Sequence, residues 1–208
     1  MALFHRATIT PTKQQLIADW APTRPWGPSV DDAVEMIGSY RFDDPEGRVG
    51  METHLVRAGA TVFQVPLTYR DQPVDGADDG LITEMHHSVL GTRWIYDGLR
   101  DERFLLMLAG VAMTGQGEAL GMVENDGRWY VAPSNVRIHG GGWPLERVPV
   151  DRFELDSDDG GPARLHNDRF ELTVFRRPVE GPRPPIGLTA TWDGQAAVVL
   201  AEVRERTG

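Results

Sequence analysis

QVPLTYR (Gln64–Arg70) and LITEMHHSVLGTRWIYDG (Leu81–Gly98), joined across the acidic run VDGADDG (Val74–Gly80), decide how this chain is read. Apolar and polar residues mix along both segments as they do on half-buried strands, and the glycines and aspartates between them mark a surface loop. The second segment closes on an aromatic corner, Trp94–Ile95–Tyr96–Asp97, that leads into a helix. Upstream, Val34–Phe42, Met51–Ala58 and Thr61–Tyr69 are strand candidates. The turn signals Asp43–Gly47 and Ala58–Ala60 separate them, which predicts an antiparallel meander. Pro66 cannot donate to a ladder and so predicts an edge or a bulge.

Beyond this block, Ala2–Thr10 alternates like a strand. Thr12–Trp20 is predicted as a short helix, with Thr10 as N-cap, Pro11 at its first position, and Leu16, Ile17 and Trp20 on one face. APTRPWGPS (Ala21–Ser29) is a rigid connector. Asp101–Met113 places Phe104, Leu105, Leu108, Val111 and Ala112 at helical spacing and ends at Thr114–Gly115. Past residue 115 short alternating runs between turn signals predict a β-rich half closed by the hairpin WDG/QAAVVLAEVR. Asp-Arg-Phe-Glu-Leu occurs at Asp151–Leu155 and again at Asp168–Leu172. Two register-matched strands would produce such a repeat, although five residues also recur by chance.

The 208 residues carry a net charge of −10, no cysteine and a single lysine, Lys13. The acidic balance disfavours nucleic acid and anionic membrane as partners. Without cysteine there are no disulfides and no thiolate zinc sites. No stretch approaches the ~18 apolar residues of a membrane span, and MALFHRATIT has no leader pattern, so a soluble cytoplasmic protein is expected.

HRATITPTKQQLIADW (His5–Trp20), YRFDDPEGRVGMETHLV (Tyr40–Val56), QVPLTYR and HHSVLGTRWIYDG (His86–Gly98) together resemble the N-terminal cap domain of actinobacterial maltokinases and related sugar kinases, over roughly residues 2 to 115. The resemblance implies a domain that packs on the N-lobe of an ATP-dependent sugar kinase and lies outside the chemistry. Phosphoryl transfer of that kind needs a catalytic-loop Asp, a metal-binding Asn downstream and a second metal-binding Asp. In this sequence His139–Gly140 continues into Gly141–Gly142–Trp143 with no acid at the third place, and there is no Walker-type loop. These residues therefore do not make a kinase, and no cofactor is called for.

Two clusters are candidates for a site. Glu84 and His86 share a face of a presumed strand with His87 beside them, and His5 and His54 lie on other strands. A metal or acid/base role competes here with ordinary surface hydrogen bonding. Arg93, Trp94, Tyr96 and Asp97 combine aromatic faces with planar polar groups, as a saccharide subsite requires, and Trp26, Trp129 and Trp143 are possible stacking platforms. The competing reading is that the corner anchors the following helix to the sheet. Gly140–Gly142 reads as a close-approach loop for an anion or a backbone, or as a plain hinge or bulge. Neither Ser88 nor Ser134 sits in a nucleophile elbow. Asp156–Asp159 lacks the calcium-loop pattern.

The expectation is an α+β protein. Residues 1–115 would form a cap-like domain with a curved antiparallel sheet and two helices. Residues 116–208 would form a β-rich extension that continues the sheet or packs beside it. The functional expectation is a non-catalytic accessory in maltose, trehalose or α-glucan metabolism, docking on a sugar kinase, on another enzyme of that metabolism or on itself. A saccharide-binding module through Arg93, Trp94 and Tyr96 is the alternative, and an enzyme around Glu84, His86 and His87 a third reading.

Overall fold

A computed structural model describes residues 2–3 and 8–206. In chain order its elements are β1 (Ala2–Leu3), β2 (Ile9–Thr10), α1 (Lys13–Trp20), β3 (Val34–Phe42), β4 (Gly50–Ala58), β5 (Thr61–Arg70), β6 (Leu81–His87), β7 (Gly91–Asp97) and α2 (Glu102–Thr114). There follow β8 (Gly121–Asn125), β9 (Arg128–Val131), β10 (Val136–Gly140), β11 (Glu154–Ser157), β12 (Ala163–His166), β13 (Phe170–Val179), β14 (Gly187–Trp192) and β15 (Gln195–Glu205). The chain is mostly β, with a curled antiparallel sheet and two helices, so the α+β label holds only loosely.

Two six-stranded antiparallel sheets carry the fold, in the orders β2-β6-β7-β5-β4-β3 and β10-β14-β15-β13-β12-β11. A small third sheet pairs β1 with β8 in parallel and β8 with β9 in a hairpin. That hairpin turns through Asp126 and Gly127, both at positive φ, as a tight two-residue loop matching strand twist requires. Helix α2 lies where both sheets meet. Phe104, Leu105, Leu108, Val111 and Ala112 are buried in one cluster with Tyr40, Phe42, Met51 and Leu55 of the first sheet and Val136, Leu172, Leu188 and Leu200 of the second. A second cluster fills the opposite face of the first sheet, where Leu16 and Ile17 of α1 meet Val56, Val65, Leu67, Met85 and Ile95.

The predicted meander strands hold nearly to the residue, as does α2, which Asp101 caps and Gly115 closes in the left-handed conformation. The N-terminal readings fare differently. Helix α1 is capped by Thr12 rather than Thr10, because Thr12 and Gln15 form a reciprocal capping box that satisfies the first-turn N–H groups. Pro11 therefore precedes the helix. The expected strand Ala2–Thr10 is seen at its two ends, and Phe4–Ala7 lie outside the described residues. The aromatic corner is the end of a full strand, β7, which forms a hairpin with β6.

Pro66 lies at a local edge of the sheet and not in a bulge. It pairs with Thr53 of β4, and β7 joins β5 only from Leu67 onward, opposite Asp97. The missing N–H thus falls where one ladder stops. Beyond it β13 packs against β5, and the Gln64 amide donates to the carbonyls of Phe175 (2.6 Å) and Leu200 (2.8 Å).

Candidate functional site

Strand parity assembles one polar group on the α1 side of the first sheet. Arg41 of β3 lies opposite Glu52 of β4, Ser39 lies opposite His54, and Tyr69 of β5 stands beside Glu52 on the same face. Helix α1 covers this face and projects Lys13 from its first position onto Glu52 as an ion pair. A pocket of about 470 Å³ opens above them, in the range of small-molecule sites. Arg48, His87 and Arg93 stand among its lining residues.

Glu52 and His54 are both buried. Burial favours the neutral acid of Glu52, but His54, Lys13 and Arg41 outweigh it and hold the carboxyl at about 2. Burial depresses the His54 imidazole to about 4, against the pull of Glu52. At neutral pH His54 is therefore uncharged, and Lys13 and Arg41 are the cations that keep Glu52 ionised. The Ser39 hydroxyl donates to Glu52 at 2.9 Å. His54 Nε2 shares a hydrogen bond of 3.2 Å with the Tyr69 hydroxyl, whose phenol burial pushes well above its ordinary value. Groups that titrate this far from pH 7 are poorly matched to proton transfer there, and the arrangement is suited to binding.

A larger cavity, about 710 Å³, lies next to it and includes Tyr96, Arg70, Arg100 and Arg103. Of its four arginines, Arg48 is shared with the smaller pocket and the other three are engaged by neighbours. Arg70 donates to both oxygens of Asp101 (2.8 and 2.6 Å), Arg103 to Glu46 (2.7 Å), and Arg100 pairs with Asp79. These interactions hold the loop and the start of α2 in place and leave little charge to offer a ligand.

The predicted ligand cluster does not form one site. Along β7, Arg93 and Asp97 point to the α1 side, while Trp94 and Tyr96 point to the other. Only Arg93 reaches the 470 Å³ pocket. Half-buried Trp94 lines neither cavity, and the Tyr96 hydroxyl accepts from Val74 N at 2.9 Å. Asp97 is buried, accepts from Leu99 N and receives Arg176 at 2.6 Å. Trp143 is 80% exposed on the loop after β10, and Trp26 is buried beneath the Arg176 guanidinium, 4.2 Å away.

The predicted metal cluster divides in the same way. Glu84 and His86 lie on the exposed face of β6. His87 faces the pocket, and its Nδ1 accepts from Val89 and Leu90 N in the hairpin turn. Among the described residues no three His, Asp or Glu side chains gather as metal ligands do, and His5 lies outside them. Asp158, from the acidic run read against a calcium loop, pairs with Arg176 at 2.6 Å. Apart from Arg93 and His87, the residues that build the pocket were missed, although Glu-x-His at 52 and 54 carries the alternation and Lys13 is unique in the chain.

Five of the six strands bearing this pocket, β3 to β7, fall within residues 20–101, and that stretch matches the family model of the maltokinase N-terminal cap domain. Over residues 20–101 the chain is similar to that cap domain. The match is narrower than the resemblance over residues 2 to 115 and leaves α2 and most of α1 outside the cap. A search of curated proteins gives no match to the chain. Among the described residues no helix is long and apolar enough to cross a membrane.

Proposed function

We propose that this protein is an accessory of maltokinase-related sugar metabolism that works by docking on an enzyme rather than by chemistry of its own. The cap-family match over residues 20–101 carries the reading, alongside the lack of a phosphotransfer motif set in these 208 residues. The partner favoured is a sugar kinase, ahead of another maltose, trehalose or α-glucan enzyme or a second copy of the chain. An apolar surface supports docking. The β8–β9 hairpin exposes Trp129, Tyr130 and Val131, with Leu120 exposed just before it. Exposed aromatic residues grouped in this way are typical of interface anchors.

A saccharide subsite built jointly from Arg93, Trp94 and Tyr96 is not favoured, since β7 sends them to opposite faces. The test is size-exclusion chromatography of the purified protein mixed with a maltokinase catalytic domain. A joint peak is expected, and Trp129→Ser with Tyr130→Ser should abolish it while leaving the melting temperature nearly unchanged. Separate migration at tens of micromolar would overturn the docking reading.

A further inference from the structure

We propose that the 470 Å³ pocket between α1 and the first sheet binds a small phosphate monoester. This inference goes beyond the docking reading and does not depend on it. Four cationic side chains, Lys13, Arg41, Arg48 and Arg93, line the pocket against two carboxylates, Glu52 and Asp71. Among the described lining residues, cations thus outnumber carboxylates by two in a chain of net charge −10. Lys13 and Glu52 already satisfy each other. Arg48 and Arg93 have no carboxylate partner among the described residues, and Arg93 donates only to the neighbouring Thr92 carbonyl at 3.2 Å. A guanidinium fork presents paired donors matched to phosphate oxygens.

The remaining wall suits the other end of such a molecule. Ile9, Met85 and Leu90 supply apolar lining beside the cations. A monoester carries nearly two negative charges at neutral pH and an organic body. Inorganic phosphate would satisfy only the rim and a neutral alcohol only the wall.

Phenyl phosphate titrated by calorimetry at low ionic strength is the test, with inorganic phosphate and benzyl alcohol as comparators. Saturable binding is expected, tighter than that of either comparator and weakened by salt. Arg48→Gln and Arg93→Gln should each weaken it about tenfold or more, the loss of a charged hydrogen bond, whereas Arg147→Gln, outside the pocket, should not. Because Lys13 is the only lysine, reductive ¹³C-methylation gives a side-chain resonance beside the N-terminal amine, and phenyl phosphate should shift it. No heat of binding with an unmoved Lys13 resonance would overturn the proposal. So would equal affinity in the wild type and both arginine variants.

Discussion

His54 is a buried imidazole in contact with one hydroxyl, and its Nδ1 has no hydrogen-bond partner among the described residues. Unfolded, it takes a proton near pH 6.5, whereas folded it does so only at about 4. Between those values the unfolded chain binds a proton that the folded one refuses. Its contribution is thus complete above 6.5 and is lost as pH falls toward 4, on the order of 3 kcal/mol. Glu52 adds a second loss between 4.5 and about 2. His54→Gln should remove the first of these slopes and shrink the second, since His54 is one of the groups that lower Glu52. Urea midpoints at pH 7 and 4.5 check this, and an equal drop in both proteins would refute it. The same residue shows what could be read in advance. The alternation Glu52-x-His54 was visible, but that Arg41, Tyr69 and Lys13 converge on it depends on register and on where α1 lands. Applied to Arg93, Trp94, Tyr96 and Asp97, parity alone would have divided the cluster that composition drew together.

Among the elements, α2 was legible because its apolar spacing, its Asp101 cap and its Gly115 stop all agree. The glycines after β10 were legible only as a close approach, and what they approach is the chain's own helix end. A Cβ on Gly140 would lie 1.9 Å from the Val111 carbonyl oxygen, and one on Gly142 2.6 Å from Met113 Cα. Gly142 N also donates to the Ala112 carbonyl at 2.9 Å. Gly140→Ala should cost about 3 kcal/mol or more, since backbone cannot yield as a side chain does. Gly181→Ala, which meets nothing within 4 Å, should be near neutral, and thermal melts of the two variants decide the matter. The repeated Asp-Arg-Phe-Glu-Leu also has a structural meaning. Leu155 and Leu172 both lie opposite Leu165, and Glu154 and Glu171 both lie opposite His166, so the copies flank β12 in matched register. Sequence showed the repeat but not the strand between its copies.

Over the whole molecule, the two sheets are joined by charge as well as by the core around α2. Arg176, 1% exposed, donates to Asp97 on one sheet and to Asp158 on the other side, both at 2.6 Å, and stacks on Trp26. Removing one member of a buried ion group leaves its partners uncompensated, at a cost of about 3–5 kcal/mol. Arg176→Met should therefore lower stability by that amount, with the unfolding of both sheets still coincident by near- and far-ultraviolet dichroism. A loss below 1 kcal/mol would show that the pair is not coupled to folding. This long-range pairing was invisible in sequence because nothing local at Asp97 names its partner 79 positions on.

The Asp97–Arg176 pair also bears on how the protein can be divided. The stretch that matches the cap-domain family ends at residue 101, yet one of its acids is neutralised from residue 176, and the Gln64 amide is satisfied by carbonyls at 175 and 200. A peptide trimmed to the family boundary would keep these groups and lose what answers them. The length that matches the family is shorter than the length these contacts require to be present together, and trimming to the first would remove part of the second.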